Sequence, residues 1–134
     1  MINANELRIG NWLHYKVDYY HPTLEIQIKH DKYEQVDTIS YDHLLTDLLP
    51  DSYDINHNDR KNYSGIQLTP EILEKCGFEQ QNGVMGWEKE SVVIAYETLA
   101  KYFRLYPRTT PILYLHQLQN LFWCLCGEEL NYKP

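Results

Sequence analysis

LHQLQNLFWCLCG, residues 115–127, decides the class of the fold. Leu115, Leu118, Leu121, Phe122 and Leu125 recur at helical spacing, and at roughly 100° per residue they cover one face. His116, Gln117 and Asn120 fall on the other face. Gly127 stands where the residue after the last helical turn must reach a left-handed conformation. A helix with so wide an apolar face must dock on something, and upstream strands are the candidate.

Working outward, residues 84–89, 91–98, 101–106 and 111–114 read as four strands of a meander. In the third, Phe103 and Leu105 alternate with Tyr102, Arg104 and Tyr106. Asn82 and Gly83 mark a turn before the first of them, and Leu130 and Tyr132 suggest a short final strand. GIQLTPEILEKCGF, residues 65–78, is the most legible stretch. Ile66 and Leu68 suggest a brief strand. Thr69 is an N-cap, Pro70 suits the first helical position, and Glu71 suits the positive helix end. Ile72, Leu73 and Cys76 form the buried stripe, Gly77 ends the helix, and Phe78 can fold back over it.

Upstream, Gly10 and Asn11 predict a turn into a first strand carrying Trp12 and Leu13. Residues 23–29, TLEIQIK, alternate strictly, which predicts a half-buried antiparallel strand with Leu24, Ile26 and Ile28 inward. Residues 33–39 read as a third strand. Leu44, Leu45, Leu48 and Leu49 change the period and suggest a short helix over 40–49, and residues 51–64 read as an exposed polar loop. The expected class is α+β over one domain, residues 1–134. An N-terminal SH3-like curled sheet and a meander are packed by a C-terminal helix and a short central helix.

The chain of 134 residues is long enough for a real core, and it carries a formal net charge of −7. That acidity disfavours non-specific binding to a phosphate backbone, so nucleic acid is an unfavoured partner. No stretch approaches the ~18 apolar residues of a membrane span, and the first residues do not read as a secretory signal. Three cysteines, Cys76, Cys124 and Cys126, form no paired framework, which suits reduced thiols in a cytoplasm. Twelve tyrosines suit both half-buried strands and interfaces.

Three segments occur in order: ELRIGNWL near the start, IQLTPEILEKCGF in the middle and YLHQLQNLFWCLCGEEL near the end. In these the chain resembles a group of small uncharacterised proteins of Bacteroidetes bacteria and of their phages and mobile elements. The resemblance covers roughly half the chain, and LHQLQNL with the Gly-Glu-Glu-Leu ending is its most specific part. It implies a cytosolic protein associated with a mobile element. It implies no catalytic residue.

His116, Asn120 and Trp123 share one stripe of the C-terminal helix, with Gln119 near its edge. A histidine, two amides and an indole so placed form a candidate recognition patch; the plainer alternative is that they border the core. Asp51, Asp54, His57 and Asp59 are close enough to suggest a divalent metal, but their spacing matches no EF-hand. The six histidines show no zinc spacing. There is no GxSxG, no phosphate-cradling glycine loop and no GxGxxG, so neither a catalytic residue nor a cofactor is expected.

The favoured expectation is a non-enzymatic interaction module. Its partner is a protein or a second copy, met through exposed aromatics near Trp12, Trp87 or Trp123. A second reading is nucleic-acid association through the N-terminal strands, with Lys16, Lys29, His30 and Lys32 as a positive edge and Tyr15, Tyr19 and Tyr20 for stacking. A third is a small enzyme with an unrecognised site.

Overall fold

Two antiparallel sheets and two helices account for the elements of the structure, a computed structural model that describes residues 6–39, 44–46, 63–81 and 85–134. The class is α+β. The chain runs β1 (Trp12–His21), β2 (Ile26–Ile39), β3 (Leu44–Thr46), β4 (Tyr63–Gly65), α1 (Pro70–Lys75), β5 (Glu79–Gln80), β6 (Gly86–Lys89), β7 (Val92–Glu97), β8 (Tyr102–Leu105), β9 (Pro111–Ile112) and α2 (Leu115–Cys126). It divides into two compact units, residues 1–66 and 67–134.

In the first unit the strand order is β3-β2-β1-β4. Gly10 adopts φ 93°, a conformation that favours glycine, and turns the chain into β1. The turn is pinned from both sides: the Gly10 amide donates to the Val36 carbonyl at 2.8 Å, and the Val36 amide donates back to Asn11 at 2.8 Å. Leu13, Val36 and Tyr63 form the buried cluster, with Leu7 and Tyr15 packed against it. Glu34 is buried beside them. It accepts a hydrogen bond from the Tyr63 hydroxyl at 2.9 Å, and Lys32 Nζ lies 2.8 Å from its other oxygen.

In the second unit β5 to β9 pair in chain order, so the meander over β6 to β9 stands as expected. Glu90 and Ser91, at φ 48° and 69°, make the tight turn between β6 and β7. The register puts Trp87, Ile94, Tyr96, Phe103 and Ile112 on one face, of which all but Tyr96 are fully buried. Thr69 caps α1 by accepting from the Ile72 amide at 3.3 Å. At its far end Gly77 sits at φ 87°, and the Phe78 amide returns to the Leu73 carbonyl at 3.0 Å. That is the bond that lets the buried Phe78 fold back over the helix. The Gln117 side chain accepts from the backbone amides of Leu113 and Tyr114 ahead of α2, and Gly127 closes it at φ 69°. Phe122 meets Phe78 edge to face at 6.2 Å, and Lys89 Nζ lies 5.7 Å over the Phe122 ring.

Several expectations are corrected. Residues 23–29 and 33–39 are not two strands: β2 runs unbroken from Ile26 to Ile39. The polar run His30–Asp31–Lys32 stays paired because each residue faces a partner on β1, Asp31 opposite Lys16 and within 2.6 Å of His14. Leu24 and Ile26 are exposed, not inward. Residues 44–46, expected in a helix, pair with β2; the remainder of 40–49 lies outside the described residues, as do Asn82, Gly83 and nearly all of the loop over 51–64 with Asp51, Asp54, His57 and Asp59. Leu130 and Tyr132 are buried without forming a strand. The brief strand falls at Tyr63–Gly65, just before Ile66 and Leu68, whose side chains are buried.

The buried face of α2 is Leu115, His116, Leu118, Gln119 and Phe122. It is rotated toward His116 and Gln119 from the face expected, and Leu125 stands 54% exposed. All three cysteines are free thiols. Cys76 is buried, and burial pushes its pKa up from 9.0 to about 12. The folded chain therefore keeps this thiol protonated at neutral pH. Its contribution to stability is complete below pH 9.0 and is lost as the pH rises toward 12. At pH 8, Ellman's reagent is expected to modify the exposed Cys124 in the native protein and to reach Cys76 only after denaturation.

Candidate interaction surface

Among the described residues the hairpin of β1 and β2 is longer than the strands that flank it. β4 pairs with β1 only at Leu13, His14 and Tyr15, and β3 pairs with β2 only from Val36 onward. Beyond these points, among the described residues, the ribbon is two-stranded. Its loop, residues 22–25, is closed by the Leu24 amide donating to His21 Nδ1 at 3.2 Å, with Glu25 at φ 53°.

Opposed residues in an antiparallel pair share a face. One face of the ribbon therefore carries Leu13 and Glu34, then Tyr15 and Lys32, Val17 and His30, Tyr19 and Ile28, and finally His21 and Ile26. Its near end is core: Leu13 and Val17 are buried. The same face continues outward, where Tyr19 is 48% exposed and Ile26 48%, and Leu24 in the adjoining loop is 60% exposed. The opposite face is polar and internally matched. Asp18 accepts from the Gln27 amide and lies 3.9 Å from Lys29 Nζ, while Asp31 bonds His14. The His14 hydrogen bond holds the Asp31 carboxyl below its usual pKa of 3.8. The ribbon is thus amphipathic. Its polar face binds its own strands together, and its apolar face runs off the core into solvent.

The residues of the expected positive edge are divided by this geometry. Lys32 is spent on Glu34 and also lies 5.8 Å over the Tyr15 ring, Lys29 lies beside Asp18, and Lys16 faces Asp31. Tyr15 and Tyr19 lie on one face and Tyr20 on the other.

The candidate patch on α2 is also divided. His116 and Gln119 are buried, Asn120 is half-buried, and Trp123 is 43% exposed. The His116 ring stacks on Tyr114 at 5.7 Å. These four residues share a helix but not an exposed surface, because the helix turns its His116 and Gln119 edge inward. Of the three tryptophans, Trp87 is buried, Trp12 half-buried and Trp123 exposed. Among the described residues no cluster of histidine, cysteine, aspartate or glutamate could hold a metal ion, and no helix is long and apolar enough to cross a membrane.

The sequence already carries the signal for the ribbon tip, in the alternation of Leu24, Ile26 and Ile28. That alternation identifies an apolar face without saying what covers it. Compared with protein-family models, curated proteins and solved structures, the chain matches none.

Proposed function

We propose that this chain is a non-enzymatic protein-interaction module of the cytoplasm, and that its binding element is the outer half of the β1–β2 ribbon. The observation that carries this reading is the exposure of Tyr19 and Ile26 on a face whose inner end is core, with Leu24 exposed in the adjoining loop. Contiguous exposed apolar surface with a polar border is the usual mark of a protein contact. An isolated two-stranded ribbon is only marginally stable in water, so a partner that covers the tip also stabilises it. Among the described residues nothing pairs with the outer edges of the ribbon, and such edges can accept an additional strand, a common mode of peptide and protein recognition. Nucleic-acid association is the weaker reading, since the lysines of this ribbon face carboxylates and the chain as a whole is acidic. The resemblance to mobile-element proteins is compatible with a protein partner encoded beside it.

Tyr19→Ser combined with Ile26→Ser tests the proposal. Both side chains are half in water, so the fold is expected to keep its far-UV spectrum and to lose less than about 1 kcal/mol. The tagged wild-type chain, expressed in the cells that encode it, is expected to co-purify with one protein or with a second, untagged copy. The double variant is expected to lose that species. Equal retention by a folded double variant would remove the ribbon from the proposal.

A further inference from the structure

We propose that the second unit binds a small carboxylic acid with an apolar body, in a cleft that the sheet opens beside Trp87. The cleft has a volume of about 330 Å³ and is lined by Trp87, Tyr96, Phe103 and Ile112 of the buried sheet face, with Met85 and Lys101 also on its wall. That volume lies at the small end of the ligand-pocket range of about 300–1,000 Å³, which suits one ring and a short chain.

Gln67, Thr69 and Tyr102 also line the cleft, with the Thr69 and Tyr102 hydroxyls already bonded to backbone, and two further polar groups define the chemistry. The first is the Trp87 indole, which meets Phe103 edge to face at 5.6 Å and is 2% exposed. Its Nε1 is buried with no hydrogen-bond partner among the described residues. An indole N–H can only donate, and a buried donor left unmade costs about 1–3 kcal/mol. Trp87 lines the cleft, so an acceptor on a ligand that the buried indole reaches by a small shift of its ring supplies what the indole lacks. The second is Lys101. It makes no ion pair among the described residues, and no acidic side chain lines the cleft there, although the chain carries a net charge of −7. Lys101 also holds φ 58°, a conformation that costs a residue with a Cβ roughly 1–2 kcal/mol. An apolar wall, an unsatisfied donor and one unmatched cation together select an apolar anion with oxygen acceptors, and a carboxylate is the simplest such group.

Proton–nitrogen NMR of the full chain tests this directly, because it contains only three indole groups. Trp12→Phe and Trp123→Phe variants identify two of the three resonances and leave Trp87 intact. Phenylpropanoate is titrated in, with its neutral amide as the comparison. The expected result is a saturable shift of the Trp87 resonance alone. Lys101→Gln, at an exposed position, is expected to weaken the carboxylate about tenfold and to leave the amide unchanged. A Trp87 resonance that stays put, shifts shared equally by all three indoles, or equal weakening of acid and amide in the lysine variant would each overturn the proposal.

Discussion

Phe122→Ala is expected to destabilise the second unit by roughly 3–5 kcal/mol, whereas Leu125→Ala on the same helix is expected to change stability by less than about 0.5 kcal/mol. Phe122 is fully buried, meets the Phe78 ring edge to face and receives Lys89 over its face. Truncation removes all of these contacts and leaves a cavity between α2 and the residues that follow α1. Leu125 lies one turn further on and is more than half in water. Urea unfolding followed by tryptophan fluorescence measures both changes. The contrast reads the rotation of α2 directly: on the face expected from apolar spacing alone, both leucine and phenylalanine would be core.

The second large effect is at Lys32. Lys32→Met is expected to destabilise the first unit by about 3 kcal/mol, the low end of the range for breaking a buried ion pair. Glu34 is fully buried, and Lys32 Nζ at 2.8 Å is a close positive charge that compensates it. The low end applies because Lys32 keeps more than a third of its side chain in water, and because the Tyr63 hydroxyl still donates to Glu34. Removing both charges, Lys32→Met with Glu34→Met, is expected to recover most of the loss, since no buried charge is then left without a counter-charge. Denaturant midpoints of the two singles and the double close the cycle, and a double variant as unstable as the two singles summed would show that the pair does not act as one.

The helices were legible because their signals are local. Thr69, Pro70, Gly77 and Phe78 each act within a turn of their own helix, and each takes the role its chemistry dictates. The meander was legible for a similar reason, since β6 to β9 are sequential neighbours with alternating side chains. Three features were hidden. The length of β2 was hidden because His30, Asp31 and Lys32 look like a turn until Lys16 is seen opposite Asp31 and His14 bonded to it. The orientation of α2 was hidden because His116 and Gln119 have enough non-polar body to be buried, and spacing alone counts them as polar. The cleft was hidden because Trp87, Tyr96, Phe103 and Ile112 come from four different strands and share a face only through the sheet register.

The ribbon lies between these cases. Its alternation announces an apolar face, and its exposure is a tertiary fact: among the described residues β3 and β4 pair with the ribbon only at its inner end. Ordinary edge strands are protected by charge or by cover. Here the Asp18–Lys29 and His14–Asp31 pairs lie on the opposite face, Lys32 and Glu34 pair at the inner end of this one, and Tyr19 and Ile26 at its outer end stand exposed.

The most direct measurement is site-specific photocrosslinking in the cells that encode the chain. A benzophenone amino acid is placed at Leu24 on the ribbon loop and, separately, at Leu99, a fully exposed leucine of the other unit that is 94% accessible. The expected result is one discrete crosslinked protein species from position 24 and none from position 99. Crosslinks of equal yield from both positions, or no discrete product from position 24, would contradict a ribbon-borne protein interaction.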